Sequence, residues 1–548
     1  MKLNRITALL MLSSLPLLAN SASYEVVELP GASMSLNQFG SAIDETGLVL
    51  TTAVRPFNPP IDLSLIDLSI FTMLNDPQGA ARGDFEEEDY KLIATFLVAQ
   101  NANQQNSLFG QKLATELVYS SDGTSLNYVS GLDEIADATN GFSFAQRSLV
   151  GDSVNGTHIV GTMAGPFSKI PYTNSEGVEQ VYNLNTFSSR GFVQVGNAVT
   201  QLVPENTEAG GVSTAQAINA GLQIAGSTST GPAPVLVDVI ANCADDELRP
   251  DEPIEACLYK LRIQSGNVDS FRNATTERAA VWQVDVNGAV ISKTIYGLVF
   301  EPQEESRLAL STSAIAINDN GVAVGVSDAP FFNRTDDTAV IFEKGQTIRI
   351  IEDDALMPNA ATGINNNGLI VGFQRYLVGR DVRTKMFTFD RKTDVLTFVD
   401  GFFVNSSTIP RAINNNNLVV GEADRDAGIG LRQKSGFLYD INTDTFSDLN
   451  SLLACDANFT IVAADDINDS GEIIASALVR RPARNVKGEE TDGLVDTVIA
   501  VKLMPTGRQP SECGPSEDDI FAIERKGAGV GFLTLLGLFV ISVFRRRI

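Results

Sequence analysis

The sequence predicts an all-β protein: a seven-bladed β-propeller closed by its N-terminal strand, with a helical insertion near residues 55–118 and a C-terminal transmembrane helix. Three observations carry this. A hairpin phrase recurs along the chain, a strand phrase follows each copy, and the strand missing from the last unit is found at the opposite terminus.

The hairpin phrase reads AINDNGVAVG from Ala316, GINNNGLIVG from Gly363, AINNNNLVVG from Ala412 and DINDSGEIIA from Asp466. Two apolar arms, too short for helices, flank a polar turn in which Asn320-Gly321 supplies the positive φ angles of a tight hairpin. Gly368 and Gly471 stand where Gly321 does, and the copy without glycine has Asn417, the other residue that readily enters the left-handed region. Asn318, Asn365, Asn414 and Asn468 recur just before the turn. A short amide there holds the turn by a local hydrogen bond, so these residues are read as structural. Weaker copies begin at Ala42, at Asp152 with its turn shifted, and at Ala217 with Gly221 one place early, which makes seven hairpins.

The strand phrases, such as RAAVWQ at Arg278, TAVIFE at Thr338 and KMFTFD at Lys385, are β-branched and aromatic, and most precede a turn and a further strand. One unit therefore holds four strands. The anchoring residues Ile317, Ile364, Ile413 and Ile467 are 47, 49 and 54 positions apart, the length of a propeller blade. The seventh unit shows a third strand over 497–503 and then runs into MPTGRQPSECGPSEDD, which has no fourth. YEVVEL, residues 24–29, has the missing pattern and would complete that blade, removing the open sheet edges.

The propeller so defined covers 23–504, with insertions at 55–118 and 231–277. In the first, Tyr90, Ile93, Ala94, Leu97 and Val98 fall on one helical face behind an acidic first turn, which predicts a packed helix capping the ring. The second carries CADDELRPDEPIEAC, read as an acidic, solvated disulfide loop. Four cysteines in an exported chain allow three pairings, of which the nearest-neighbour set, Cys243 with Cys257 and Cys455 with Cys513, is expected.

The ends give an address. Lys2 and Arg5, the apolar run 6–18 and the small residues Ala19, Ser21 and Ala22 make residues 1–22 a signal peptide. A polar linker, 505–526, leads to 527–548, where an uncharged stretch of 18 residues ends in Arg545, Arg546 and Arg547. As a helix it is just long enough for a bilayer, with the arginines on the cytoplasmic side. The Gly-rich entry (Gly527, Gly529, Gly531), apolar helix and arginine cluster resemble the GlyGly-CTERM type of bacterial sorting signal. That resemblance implies processing by a rhomboid-type protease and delivery to the surface. The repeat phrases resemble HAF-type extracellular repeats, and the whole arrangement is similar to an uncharacterised proteobacterial envelope family, a domain of unknown function. It implies the cell envelope or surface of a Gram-negative bacterium and brings no known activity.

With 67 acidic residues against 40 Lys and Arg the net charge is −27, so phosphate backbones are repelled and no nucleic-acid partner is expected. DINDSGEI at Asp466 matches the opening of a calcium loop, making Asp466, Asn468 and Ser470 weak candidate ligands. The twelfth position, which needs a bidentate acid, is Ala477. No other metal site and no cofactor is expected. His158 is the sole imidazole, and there is no G-x-S-x-G elbow, P-loop or H-E-x-x-H, so no catalytic residue is assigned. The reading is a non-catalytic binding module for a protein or glycan, held to the membrane through its C-terminal helix. The rival is a surface polysaccharide hydrolase or lyase using paired carboxylates. A third reading is an envelope assembly scaffold.

Overall fold

The computed structural model describes residues 23–508 except 32, 103–107, 134–147, 265–273, 304–305, 332–333, 353–356 and 428–431. The expected leader, the transmembrane and sorting segment, and Cys513 lie outside the described residues. Among the described residues no helix is long and apolar enough to cross a membrane.

Seven four-stranded antiparallel sheets form the body. Blade 4 shows the plan: Thr312–Ile317, Ala323–Phe331, Arg334–Glu343 and Gln346–Arg349, hydrogen-bonded in that order. The other blades span 35–128, 148–201, 213–296, 359–399, 408–448 and 460–505. Blade 7 takes its fourth strand from Tyr24–Glu28, which runs antiparallel to Glu490–Pro505 with Tyr24 opposite Pro505, Val26 opposite Leu503 and Glu28 opposite Val501. The ring is therefore closed by hydrogen bonds between the two ends of the described chain.

Apolar side chains from facing sheets fill the spaces between blades. The third strands supply the largest of them: Trp282, Phe192, Phe342, Phe387 and Phe437 are all fully buried. Each first strand carries a β-bulge, in blade 4 between Ala314 and Ala316, and it brings the first strand's backbone against the second. The glycine that ends the hairpin phrase answers this approach: a Cβ on Gly325 would stand 2.1 Å from the carbonyl oxygen of Ser313.

The hairpin turns differ from the sequence expectation in one respect. Only Gly321 has positive φ, at +75°; Asn320 does not. The Asn318 side-chain oxygen accepts from the backbone N–H groups of Asn320 (3.1 Å) and Val322 (3.0 Å), which keeps the two residues before the glycine right-handed. Asn417 takes φ +66° at the equivalent place. In blade 3 the left-handed residue is Leu222, at +58°, while Gly221 sits one place earlier and needs no special geometry.

The connection between second and third strands is the one that grows. In blade 1 it holds helices α1 (Pro77–Ala80) and α2 (Glu87–Ala102). In blade 2 it holds a two-stranded sheet, Ser168–Thr173 with Glu179–Leu184, and in blade 3 α3 (Val237–Ala244) and α4 (Ile254–Gln264). On α2, Tyr90, Ile93 and Leu97 are buried, whereas Val98, expected on the same face, is 60% exposed because it lies one helical step off the stripe. The acidic loop expected in the second insertion is the link between two packed helices.

Candidate functional site: axial mouth and inserted lobe

Successive antiparallel hairpins alternate ends, so the Asn-bearing turns gather at one face of the ring and the insertions at the other. At the first face they surround a cavity of about 230 Å³ on the axis.

Two circles of hydrogen bonds hold that mouth together. In the inner circle each asparagine amide nitrogen donates to the carbonyl oxygen of its counterpart one blade on: Asn219 to Asn318 (2.8 Å), Asn318 to Asn365 (3.0 Å), Asn365 to Asn414 (3.0 Å), Asn414 to Asn468 (2.9 Å) and Asn468 to Asp44 (3.2 Å). In the outer circle the next backbone N–H donates to a side chain of the following blade: Ala220 to Asp319, Asp319 to Asn366, Asn366 to Asn415, Asn415 to Asp469 and Asp469 to Glu45. The sequence reading gave these asparagines a bond within their own turn; the structure adds the bond to the neighbouring blade.

Blade 2 breaks both circles. Its turn puts Asn155 and Gly156 at positive φ and presents an N–H instead of a carbonyl. Asp44, an acceptor where the other blades have an amide donor, takes that Gly156 N–H at 2.6 Å.

Of the axial acids the sequence reading singled out Asp466, as a calcium-loop residue, but neither Asp152 nor the pairing of the two. Aligning the seven first strands on the residue before the anchoring isoleucine gives Ala42, Asp152, Ala217, Ala316, Gly363, Ala412 and Asp466, so two carboxylates replace a small residue. Asp152 accepts from Ile218 N–H (3.1 Å) and Asp466 from Ile43 N–H (2.9 Å), each one blade on. Burial pushes both carboxyls well above the usual carboxylate range. Asp44 raises Asp152 further, and Asp152 does the same to Asp466. Neighbouring Asp465 is raised to about 6, because burial outweighs the attraction of Arg411, whose guanidinium lies 3.4 Å away.

Of the calcium-loop candidates, Asp466 spends its second oxygen on Ile467 N–H, Asn468 directs its oxygen to Glu472 N–H, and Ser470 is exposed on the turn. His158 is buried with Nδ1 3.0 Å from the Thr157 hydroxyl.

On the opposite face the three insertions form one lobe. Phe167, Tyr182 and Leu184 from blade 2 pack on Ala256 and Tyr259 of α4, with Leu108 from blade 1 against them. Asp251 accepts from the Tyr172 hydroxyl (2.9 Å) and Ser175 N–H (2.8 Å), and Lys169 pairs with Asp62 at 2.7 Å. Blade 7 joins in: Lys487 donates to the Phe85 carbonyl at 2.6 Å. Cys243 and Cys257 form a disulfide that ties α3 to α4; Cys455 is also disulfide-bonded. Beside the first bridge a pocket of about 250 Å³ is lined by Val239, Leu248, Pro250 and Leu261, with the Lys260–Glu252 ion pair (2.6 Å) at its edge.

Among solved structures the chain is similar to the β-propeller domain of the Trilobed protease from Pyrococcus furiosus, at 9% identity, TM-score 0.37, over 85% of this chain and 95% of that one. It is also similar to the Pyrococcus horikoshii acylaminoacyl peptidase, at 9% identity and TM-score 0.37, over 84% of this chain and 58% of that one. A third is the Dos1 propeller, at 8% identity and TM-score 0.34, over 87% and 95%. No curated protein sequence matches the chain. The family described as protein of unknown function (DUF3466) matches residues 1–547, and this propeller belongs to it.

Proposed function

We propose that the protein is an exported, envelope-tethered propeller that binds a protein or glycan ligand without transforming it, and that it does so on the face carrying the lobe. The observation behind this reading is the asymmetry of the ring. Three consecutive blades interrupt the same connection, and the insertions pack on one another instead of extending the propeller core. Inserted connections carried on a rigid scaffold are where recognition is built. The pocket beside the Cys243–Cys257 bridge offers an apolar floor and a fixed ion pair. The leader-like and anchor-like ends of the sequence support export, and disulfides suit an oxidising compartment.

Glycoside chemistry by paired carboxylates needs one ionised group beside one protonated group. Asp152 and Asp466 are the axial pair that the rival reading, a hydrolase or lyase, would use, and the screen below separates the two readings.

The test is a screen of the purified protein against glycans and surface extracts, alongside the variants Val239→Asp and Leu248→Asp. Saturable binding lost in both variants, with unchanged circular dichroism, is the expected result. Binding indifferent to both substitutions would place recognition elsewhere, and time-dependent cleavage of a glycan would establish the hydrolase or lyase instead. Mass spectrometry of the mature C-terminus tests the tether: a chain still ending at Ile548 would contradict processing of the sorting segment.

A further inference from the structure

We propose that the pocket between α3 and α4 docks a basic segment of a partner protein, which seats one large apolar side chain beside the Cys243–Cys257 bridge. This rests on the binding reading above and narrows its ligand from a protein or glycan to a protein.

The lining defines what fits. The pocket measures about 250 Å³, below the roughly 300–1,000 Å³ of sites that enclose a whole small molecule. A cavity of about 150 Å³ accepts benzene, so this one suits a single leucine- or phenylalanine-sized group. Val239, Leu248, Pro250 and Leu261 make its walls apolar, and its polar side chains are few: Glu252 and Lys260, paired with each other at 2.6 Å, and Asn242. No aromatic ring lines it. A sugar seated here has no ring to stack on and leaves hydroxyls without partners, whereas an aliphatic or phenyl group loses nothing on leaving water. The apolar surface also runs on past the pocket. Ile254, 37% exposed, lies on the α4 face of Cys257 and Leu261, three and seven positions further along. Leu248 is 62% exposed in an otherwise polar loop. That loop is fixed in shape, because Arg249 donates to the carbonyls of Cys243 (2.8 Å) and Glu252 (3.1 Å) and pairs with Asp246. Leu248 is therefore held in place before anything covers it, which lowers the ordering cost of binding.

Charge selects the partner. Residues 237–264 hold seven acids against Arg249, Lys260 and Arg262. All three cations are engaged within the lobe: Arg249 and Lys260 in the bonds just given, and Arg262 on the Asn185 carbonyl and over the Tyr259 ring. Asp238, Asp245, Glu247 and Glu255 form no ion pair among the described residues. Two of them directly precede wall residues, Asp238 before Val239 and Glu247 before Leu248, so uncompensated negative charge borders an apolar surface. A second copy of this chain, at a net charge of −27, meets that border with like charge, and so does an acidic glycan. A segment with lysine or arginine beside its apolar residue meets it with the opposite sign.

The experiment is selection of a phage-displayed library of random linear peptides on the full-length protein. The strongest peptide is then made with a fluorophore and titrated by polarisation at low and high salt. Leu248→Asp, Asp245→Asn/Glu247→Gln and the control Glu88→Gln/Asp492→Asn, which removes two exposed acids outside α3 and α4, are titrated beside the wild type. Enriched peptides are expected to carry a leucine, isoleucine, methionine or phenylalanine flanked by lysine or arginine. Leu248→Asp should weaken binding at least about tenfold, the loss of an anchor side chain. Asp245→Asn/Glu247→Gln should weaken it about threefold to tenfold at low salt and converge on the wild type at high salt, where the rim is screened. The control should bind as the wild type does. Leu248 is exposed, and asparagine at position 245 can still accept the Glu247 N–H, so the variants keep the fold, which circular dichroism checks. No enrichment, enrichment of acidic or uncharged peptides, or affinity indifferent to the rim variant would overturn the proposal. If the glycan screen then shows binding that Leu248→Asp abolishes, the binding reading stands with a glycan as its ligand. Peptide binding indifferent to Leu248→Asp would overturn both. Dimerisation in sedimentation that Leu248→Asp abolishes would identify a second copy as the occupant and overturn the basic partner.

Discussion

Asn318 donates its amide N–H to the carbonyl oxygen of Asn365 at 3.0 Å while its own side-chain oxygen holds the turn that follows it. One short side chain thus fixes a hairpin and ties it to the next blade. Repeated around the axis, this couples the geometry of each turn to the closure of the ring.

Asn365 is the best place to measure that coupling. It accepts from Asn367 and Leu369 N–H and donates to the Asn414 carbonyl and the Asn417 side chain, all while 3% exposed. Asn365→Ala is expected to cost about 2–4 kcal/mol in urea unfolding, since it strands buried groups on both sides. Asn365→Asp should cost at least as much at pH 8, where the carboxylate faces the Asn414 carbonyl, and less at pH 5, where a protonated oxygen can donate to it.

Turn chemistry gives a second prediction. Gly321 has φ +75° and an added Cβ would approach the Gln223 side chain at 3.0 Å. Gly321→Val is expected to lower stability by about 1–2 kcal/mol, the left-handed penalty for a side chain. Gly321→Asn should cost clearly less, because asparagine already occupies this conformation at Asn417.

Much of the ring was legible because its repeat is dictated by local chemistry: isoleucine anchor, asparagine, left-handed residue. The closing strand was legible because blade 7 lacked a fourth strand and YEVVEL had no other unit to join. The left-handed Leu222 was not, since glycine stands one place earlier and no local signal marks leucine for positive φ. The blade 2 insertion was missed because Ser168–Thr173 and Glu179–Leu184 mix polar and apolar residues much as any edge strand does. The axial pair emerges only when the seven strands are aligned on their bulges, and the bonds between blades depend on distances that no single copy of the phrase reveals.

The axial acids make stability pH-dependent in a defined direction. Asp152, Asp466 and Asp465 all have carboxyls raised in the folded state, Asp465 to about 6. Each therefore contributes stability that is fully present below the unfolded carboxyl value of about 4 and lost as pH rises through the folded value. In EDTA, the urea midpoint of the wild type is expected to fall between pH 5 and 8 more steeply than that of Asp152→Asn/Asp466→Asn. Parallel slopes would show that these carboxyls do not titrate with folding.

The Cys243–Cys257 bridge spans a sequence separation of 14 and joins the two helices of one insertion. A loop of that size is worth about 3 kcal/mol in the chain-entropy model. Replacing both cysteines with serine is expected to accelerate amide exchange in α3 and α4 while exchange in blades 4 to 6 stays slow, because the seven-sheet core does not depend on the bridge. Hydrogen-exchange mass spectrometry resolves the two regions.

Closure by the N-terminal strand is the claim on which the axis, its mouth and its two faces rest. Glu25 lies directly opposite Met504 in the joint, and facing Cβ atoms in such a pair are about 4.5–5.5 Å apart. A Glu25→Cys/Met504→Cys protein treated with a short thiol crosslinker and analysed by mass spectrometry is predicted to give an intramolecular link in nearly every folded molecule, with Glu25→Cys alone giving none. Absence of the link, or links found only between chains, would contradict a ring closed within one molecule.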